Sequence, residues 1–271
     1  AQLVRACRGL RQACLAYGLP LVSGKDSMKN DAIAGGRKIS VRPTLLVTLI
    51  GASSDVRKAM STDFMDPGDL VYVLGDTNGE LGCTMFERIL ARIVPNSAGP
   101  DSSPSFGEAP DVDLARAEKL YRGVARAISG RVLRSCHDCS DGGLAVALAE
   151  SCLGGQVGLV AALDGLPGAW SNCDGLASAS SASSGKVSDA DLAARALFSE
   201  SGGRFVVSIR MEDRERLEET LSGMPFRLIG QTTEASGFSL SLKGEAVIHA
   251  TLESIRKAFM TPIGGGAHNA G

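Results

Sequence analysis

Aromatic side chains are scarce in this sequence: its 271 residues include eight Phe, three Tyr and one Trp. A core with so few rings has to close through Val, Leu, Ile and Ala, and 33 Gly supply backbone-built turns around it. An excess of one charge is also lacking, since 28 Lys and Arg face 30 Asp and Glu for a formal net charge of −2. A nucleic-acid binder needs a basic footprint to displace counterions, so this balance argues against that class of partner. Long hydrophobic runs are missing too. The apolar stretch around 45–50 falls far short of the roughly 20 residues that a membrane helix takes, and no membrane association is expected. The seven Cys are odd in number and scattered, with no secretion signal, which favours free thiols in a reducing cytoplasm over a disulfide framework. The opening AQLVRACRGLRQ has neither Met nor a signal-peptide pattern and reads as the middle of a helix, so a piece of a longer protein is expected.

The composition itself, 44% hydrophobic and 21% charged, is that of a folded chain. Its length sits where single cores tend to split, which predicts one full domain and part of another. Leu3, Cys7, Leu10, Cys14 and Tyr17 form the stripe of an amphipathic helix over 2–17, stopped by Gly18. Strands are predicted at 19–22 and 44–52, with a flexible hairpin tip at 32–38 between them. Pro67-Gly68 closes a connector and marks the domain boundary. Beyond it strands and helices interleave: strand 70–75, helix 82–93, a helix capped by Asp111 or Asp113 and running to 129, strand 132–135, a loop entering a helix from 140, and strand 158–162. Helix 188–198, strand 205–209, helix 212–221, strand 226–230, a hairpin at 238–249 and helix 251–260 follow. The Ser-, Gly- and Ala-rich stretch 164–186 reads as a mobile insertion, and the end of the chain as a floppy tail. The fold class is α/β (α+β), without internal repeats.

Three short motifs can carry chemistry. In Ser23-Gly24-Lys25-Asp26-Ser27-Met28 a Gly follows a predicted strand, Lys25 brings a fixed positive charge, Asp26 is a hard oxygen ligand suited to Mg²⁺, and Ser27 can bond a phosphate or hydroxyl. A plain turn with Asp and Ser capping backbone groups explains the same residues, and the spacing is not that of a P-loop. In Cys136-His137-Asp138-Cys139-Ser140-Asp141-Gly142-Gly143 two carboxylates flank a Ser at the entrance to a helix, a plausible Mg-phosphate site aided by the helix N-terminus. Simple N-capping by Ser140 or Asp141 is the competing explanation. The embedded C-x-x-C has no second Cys/His pair at zinc spacing, which disfavours zinc, and a redox role is given little weight. In Phe198-Ser199-Glu200-Ser201-Gly202-Gly203-Arg204 a helix-to-strand corner either grips a small polar ligand or simply turns through Gly. Gly75-Asp76-Thr77 with Glu80-Leu81-Gly82 is a further candidate for lining a cleft. His249 reads as a packed or surface residue, and His268 has no role.

Taken in order, GLPLVSGKDSMKND, ISVRPTLLVT, PGDLVYVLGDTNGELG, HDCSDGGLAVALAES and LFSESGGRF resemble the C-terminal half of the synthase region of the phosphoribosylformylglycinamidine synthase family, over residues 2–260. SGKDSM and HDxSDGGLAVALAE are specific as a pair. SDGG-type motifs alone recur in aminoimidazole ribonucleotide synthetase, selenophosphate synthetase and hydrogenase-maturation relatives.

The resemblance implies an aminoimidazole ribonucleotide synthetase-like fold. Residues 1–66 would be the end of its N-terminal subdomain, 67–262 a complete C-terminal α/β subdomain, and 263–271 a flexible tail. It implies ATP and Mg²⁺ as cofactors and a ligase that converts formylglycinamide ribonucleotide plus ammonia from glutamine into formylglycinamidine ribonucleotide, in purine biosynthesis in the cytoplasm. By match to the family's motifs, the resemblance implies Asp138 as a metal ligand and Ser140 as a nucleotide contact in a second, pseudo-symmetric site away from turnover, Gly24 as a nucleotide contact, and Ser27, Glu200 and Ser201 as substrate contacts. Lys25 stands where small-subunit relatives have a magnesium-binding Asn. No catalytic residue is assigned here, because the family's catalytic His and phosphate-binding Lys belong to an earlier unit. The implied partners are the missing N-terminal half of the synthase, a glutaminase domain or subunit, and the small-molecule substrate. Alone the chain is expected to be inactive, and to form homodimers or larger species through the unpaired segment at 45–50. The alternatives are a non-catalytic nucleotide-binding module, or a related ATP-using enzyme such as selenophosphate synthetase, whose reactive Cys or selenocysteine loop does not occur here.

Overall fold

The alternating apolar side chains at 70–74 need cover on both sides, and the way they obtain it sets the architecture. The computed structural model describes residues 2–25, 31–40, 44–53, 55–93, 107–171 and 188–261. Its contacts divide the chain into two units, 1–56 and 57–271.

The first unit contains α1 (Gln2–Tyr17) and a hairpin of β1 (Asp31–Ala34) and β2 (Arg37–Ser40). Gly18, at φ +67°, ends the helix, and the Leu19 N–H donates to the Cys14 carbonyl at 2.9 Å to close its last turn. The tip expected at 32–38 is a regular ribbon rather than a loose loop. Its turn falls on Gly35 and Gly36, both at positive φ, as a two-residue hairpin of right-handed twist requires. The strands predicted at 19–22 and 44–52 are not formed. Both segments have β-prone residues, but a strand forms only where a second strand pairs with it, and no described strand pairs with either. Leu46 and Ile50 are 89% and 88% exposed.

The second unit follows the order β3 (Leu70–Leu74), α2 (Met85–Ile93), α3 (Leu114–Ser129), β4 (Ser135–Asp138), α4 (Gly143–Gly155), β5 (Gly158–Ala162), α5 (Asp189–Phe198), β6 (Phe205–Ile209), α6 (Arg214–Thr220), β7 (Phe226–Thr233), β8 (Gly237–Leu242), β9 (Glu245–Thr251) and α7 (Leu252–Phe259). Seven strands form one sheet in the order β4-β6-β3-β7-β5-β8-β9. Neighbours are antiparallel except β5 and β8, which run parallel.

Every residue of β3 is buried, and its period of two splits it between two cores. Val71 and Val73 pack with Val206 of β6, Leu144 and Leu148 of α4, and Leu197 of α5. Leu70, Tyr72 and Leu74 pack on the other side with Val207 and Ile209 of β6, Leu120 and Val124 of α3, and Leu217 of α6. Each such side chain, fully buried, contributes about 1.5–3 kcal/mol. The sheet is thus a middle layer between helices.

Several boundaries differ from expectation. The strand predicted at 132–135 lies at Ser135–Asp138, because Val132 and Leu133 are used for packing against α3 and α6 instead. Helix α2 begins at Met85, not at 82, since the chain first turns through Cys83 at φ +60°. Asp113 rather than Asp111 caps α3, accepting from the N–H groups of Ala115 and Arg116, both at 3.1 Å. The insertion predicted at 164–186 starts as packed chain: Leu166 and Trp170 are buried, and the indole N–H donates to the Leu166 carbonyl at 3.0 Å. Residues 172–187 and the tail from 262 onward lie outside the described residues.

Just before β3, Asp69 is buried with its carboxylate 3.4 Å from Nε of Arg134. Burial pushes its pKa up to about 6 from 3.8, with Arg210 opposing and Glu212 adding to the shift. The folded protein therefore holds this proton over a range in which the unfolded chain has released it. The stability that results is complete below about pH 4 and is lost as pH rises through about 6. Urea unfolding of wild type and Asp69→Asn across pH 4–7 should show the wild type losing about 1–3 kcal/mol relative to the variant over that interval. Parallel stability curves would contradict this.

Candidate functional site

Strand β6 determines which loops meet. It lies between β4 and β3 and is antiparallel to both, so its first residue, Phe205, stands opposite Asp138 at the end of β4 and Leu74 at the end of β3. Three loops are therefore held at one end of the sheet: 139–142 leading into α4, 75–84 leading into α2, and 199–204 arriving from α5. The second and third sequence motifs, and the 75–82 candidate, converge for that reason.

The SDGG loop is shaped by its glycines. Gly142 and Gly143 both have positive φ, and a methyl group at Gly143 would collide with the Ser199 carbonyl oxygen. Only Gly lets this loop lie against the 199–204 corner. Capping by Ser140 or Asp141 does not occur. Gly142 is the N-cap of α4 and has no side-chain cap of its own, and the left-handed turn leaves the Ser140 and Asp141 side chains exposed. The Gly142 N–H donates instead to Oε1 of Glu200 at 2.8 Å. Asp138 is exposed at the end of β4. Its neighbour His137 accounts for both ring nitrogens: Nδ1 lies 2.7 Å from the Asp138 carbonyl oxygen, and Nε2 lies 2.9 Å from a Glu150 carboxylate oxygen on α4. A carbonyl only accepts, so Nδ1 carries a proton, and the imidazole ties the last residue of β4 to the helix.

The 199–204 corner is engaged with the chain around it. Besides Gly142, Glu200 Oε1 accepts from the Met85 N–H at 2.9 Å. The Ser201 hydroxyl accepts from the Asn78 N–H at 2.9 Å and donates to Glu80 at 2.5 Å. Arg204 is buried, donates to the Thr77 hydroxyl at 3.0 Å and also reaches the Ser199 carbonyl. Burial lowers its pKa, while Cys139, Glu80 and Glu200 act in the opposite direction. Nε of Arg204 and the Ser199 hydroxyl are buried without a protein partner among the described residues. Arg204, His137 and Glu150 lie within the sequence motifs, but sequence reasoning gave none of them a role of its own. The available signal was an Arg directly before the apolar strand FVVSI, since a charge at such a position is either exposed or deeply satisfied.

Of the remaining candidates, Gly24 lies in the first unit, where it is exposed and open space surrounds a Cβ built on it. Asp26 and Ser27 lie outside the described residues. His249 is exposed on β9. Among the described residues no group of three or more His, Cys, Asp or Glu is placed to hold a metal ion, and no helix is long and apolar enough to cross a membrane. The donors present at the SDGG loop are exposed carboxylates. They suit a Mg²⁺ carried largely by phosphate and water, and not a zinc caged by protein.

Residues 66–243 match the family model described as AIR synthase related protein, C-terminal domain, and the chain belongs to that family. Its fold is the AIR synthase-like fold. Among solved structures it is similar to Thermotoga maritima PurL complexed with FGAR, at 14% identity and a TM-score of 0.54, covering 73% of this chain and 29% of that one. Similarity to T. maritima PurL complexed with ATP is at 13% identity and a TM-score of 0.50, covering 73% and 27%. The PurLQS structure from the same organism matches at 13% identity and a TM-score of 0.51, covering 73% and 28%. The chain therefore spans less than a third of each of these PurL chains.

Burial also fixes the thiol chemistry beside the site. It pushes Cys136 up to about 12, Cys139 to about 11 and Cys152 to about 12, whereas a redox C-x-x-C needs a depressed value. All three are free thiols, as are the exposed Cys7 and Cys83. Timed alkylation of the native protein at pH 8, read by peptide mass spectrometry, should label Cys7 and Cys83 well before Cys136, Cys139 and Cys152. Fast labelling of Cys136 would revive the redox reading.

Proposed function

We propose that this chain is part of the synthase region of a phosphoribosylformylglycinamidine synthase, an ATP-dependent C–N ligase of purine biosynthesis. In this reading residues 1–66 end one subdomain and 67–262 form the next. The observation that carries it is the placement of the HDCSDGG motif: Asp138 and Ser140 are both exposed where β4 gives way to α4, hard oxygen donors of the kind that suit Mg²⁺ carried by phosphate. SGKDSM in the same chain supports this family over others that share SDGG alone.

In the whole enzyme ATP would phosphorylate the formyl amide oxygen of formylglycinamide ribonucleotide, and ammonia released from glutamine would displace phosphate to leave the amidine. Asp138 would hold Mg²⁺, which offsets phosphate charge, and Ser140 would bond nucleotide, both in a second, pseudo-symmetric nucleotide site away from turnover. Gly24 would approach ATP through its backbone and Ser27 would orient the substrate. Glu200 and Ser201 were expected at the substrate by resemblance, but their hydrogen bonds to 78–85 and 142 favour a supporting role. The rest of the synthase and a glutaminase are the partners this chemistry demands, so the chain by itself lacks turnover. A second reading, in which the chain only holds nucleotide as a structural element, rests on the same exposed Asp138 and Ser140.

Both readings require nucleotide binding. Mg·ATP should raise the thermal midpoint of the wild-type chain and leave Asp138→Ala unmoved. No ATP hydrolysis dependent on formylglycinamide ribonucleotide and ammonia should appear with either. Absence of any nucleotide effect on the wild type would overturn the proposal, and robust turnover by the chain alone would overturn the need for partners.

A further inference from the structure

We propose that Glu200 is the positioning residue of the SDGG loop: one carboxylate oxygen, accepting from the Gly142 and Met85 N–H groups together, clasps the starts of α4 and α2 and so fixes where Asp138 and Ser140 stand. The link to nucleotide rests on the function proposed above, whereas the clasp rests on geometry alone.

Both donors belong to the set that a helix cannot satisfy by itself. Met85 is the first residue of α2 and Gly142 is the N-cap of α4, and neither N–H has an intrahelical carbonyl to reach. Helix starts usually obtain an acceptor from a residue close in sequence. Here the acceptor is 115 residues from one donor and 58 from the other, at 2.9 and 2.8 Å.

The corner that supplies Glu200 is itself held fast. Ser201 grips Asn78 and Glu80, and buried Arg204 grips Thr77 and the Ser199 carbonyl. Gly143 lies so close to Ser199 that no side chain fits between them. Glu200 therefore projects from a rigid base, and the SDGG loop is the part it holds. Three residues separate Gly142 from Asp138, and His137 ties the Asp138 carbonyl to Glu150 on the helix that Gly142 begins. Release of Gly142 would loosen the far end of the segment bearing Asp138 and Ser140, whose near end stays paired to β6.

This role makes a demand on chemistry that a ligand-contacting carboxylate does not. The clasp needs an oxygen at the right reach, not a negative charge. Glu200→Gln keeps such an oxygen and loses the charge; Glu200→Asp keeps the charge and is one methylene too short for both donors. Amide hydrogen exchange by NMR in the full chain should therefore speed about tenfold or more at Gly142 and Met85 in Glu200→Asp and Glu200→Ala. Glu200→Gln should stay within about threefold of wild type, and the amide of Val206 in β6 serves as the reference for global opening. Mg·ATP affinity should follow the same order, rescued by Gln and not by Asp. The reverse order, with Asp tolerated and Gln as damaging as Ala, would make Glu200 a charge-bearing ligand group and overturn the inference. Unchanged exchange at both amides in Glu200→Asp would overturn it as well. If the wild type fails to bind Mg·ATP, the proposed function falls while the exchange measurements still decide the clasp.

Discussion

Phe205 faces Asp138 on one side and Leu74 on the other, and this antiparallel register of β6 is the constraint from which the site follows. Strand pairing with period two admits no small slip: a shift of one residue would move Val206 and Val207 into each other's cores. With Val206 packed on one face and Val207 and Ile209 on the other, the register is fixed by burial. The loops at that end of the sheet have no freedom to separate. Hydrophobic packing on both faces thereby places polar groups that take no part in it.

Once brought together, the loops are joined by hydrogen bonds of an unusual kind. Few of them come from local capping, in which a side chain serves the helix it precedes. Glu200, Ser201 and Arg204 serve backbone and side chains far along the chain instead. A buried guanidinium with no carboxylate in contact among the described residues is costly. It is tolerated where its hydrogen-bond partners are fixed and carboxylates such as Glu80 and Glu200 are close enough to act on it. The arrangement leaves Asp138, Ser140 and Asp141 exposed, with their supporting backbone immobilised from behind. An exposed polar surface on a rigid base is the condition for recognising charged oxygens without large ordering costs.

Much of the second unit was legible from local pattern. Strands 158–162 and 205–209 fall on the predicted residues, because continuous apolar runs bounded by polar turns leave few other choices. The hairpin and the final helix lie within two residues of expectation. Strands 19–22 and 44–52 were misjudged because β-propensity reports suitability for a sheet and not the presence of a partner. N-capping of α4 by Ser140 or Asp141, the competing explanation of that motif, fails for a related reason. Ser140 and Asp141 have the correct chemistry one or two positions early, but Gly142 and Gly143 turn the backbone so that the acceptor comes from elsewhere. Arg204 gave almost no signal, since its partners Thr77 and Ser199 are set by the sheet.

The sequence by itself determined the motifs, their order, the two-sided burial of β3 and hence a layered α/β class, because these depend on periodicity and on residue chemistry along the chain. Only the tertiary structure decided that 75–84, 139–142 and 199–204 meet at one end of the sheet, and that a carboxylate from the third caps helices begun by the other two. Contacts between residues more than a hundred positions apart depend on strand order and register, and those are settled by which faces can be buried together, a property of the whole fold that no local window contains.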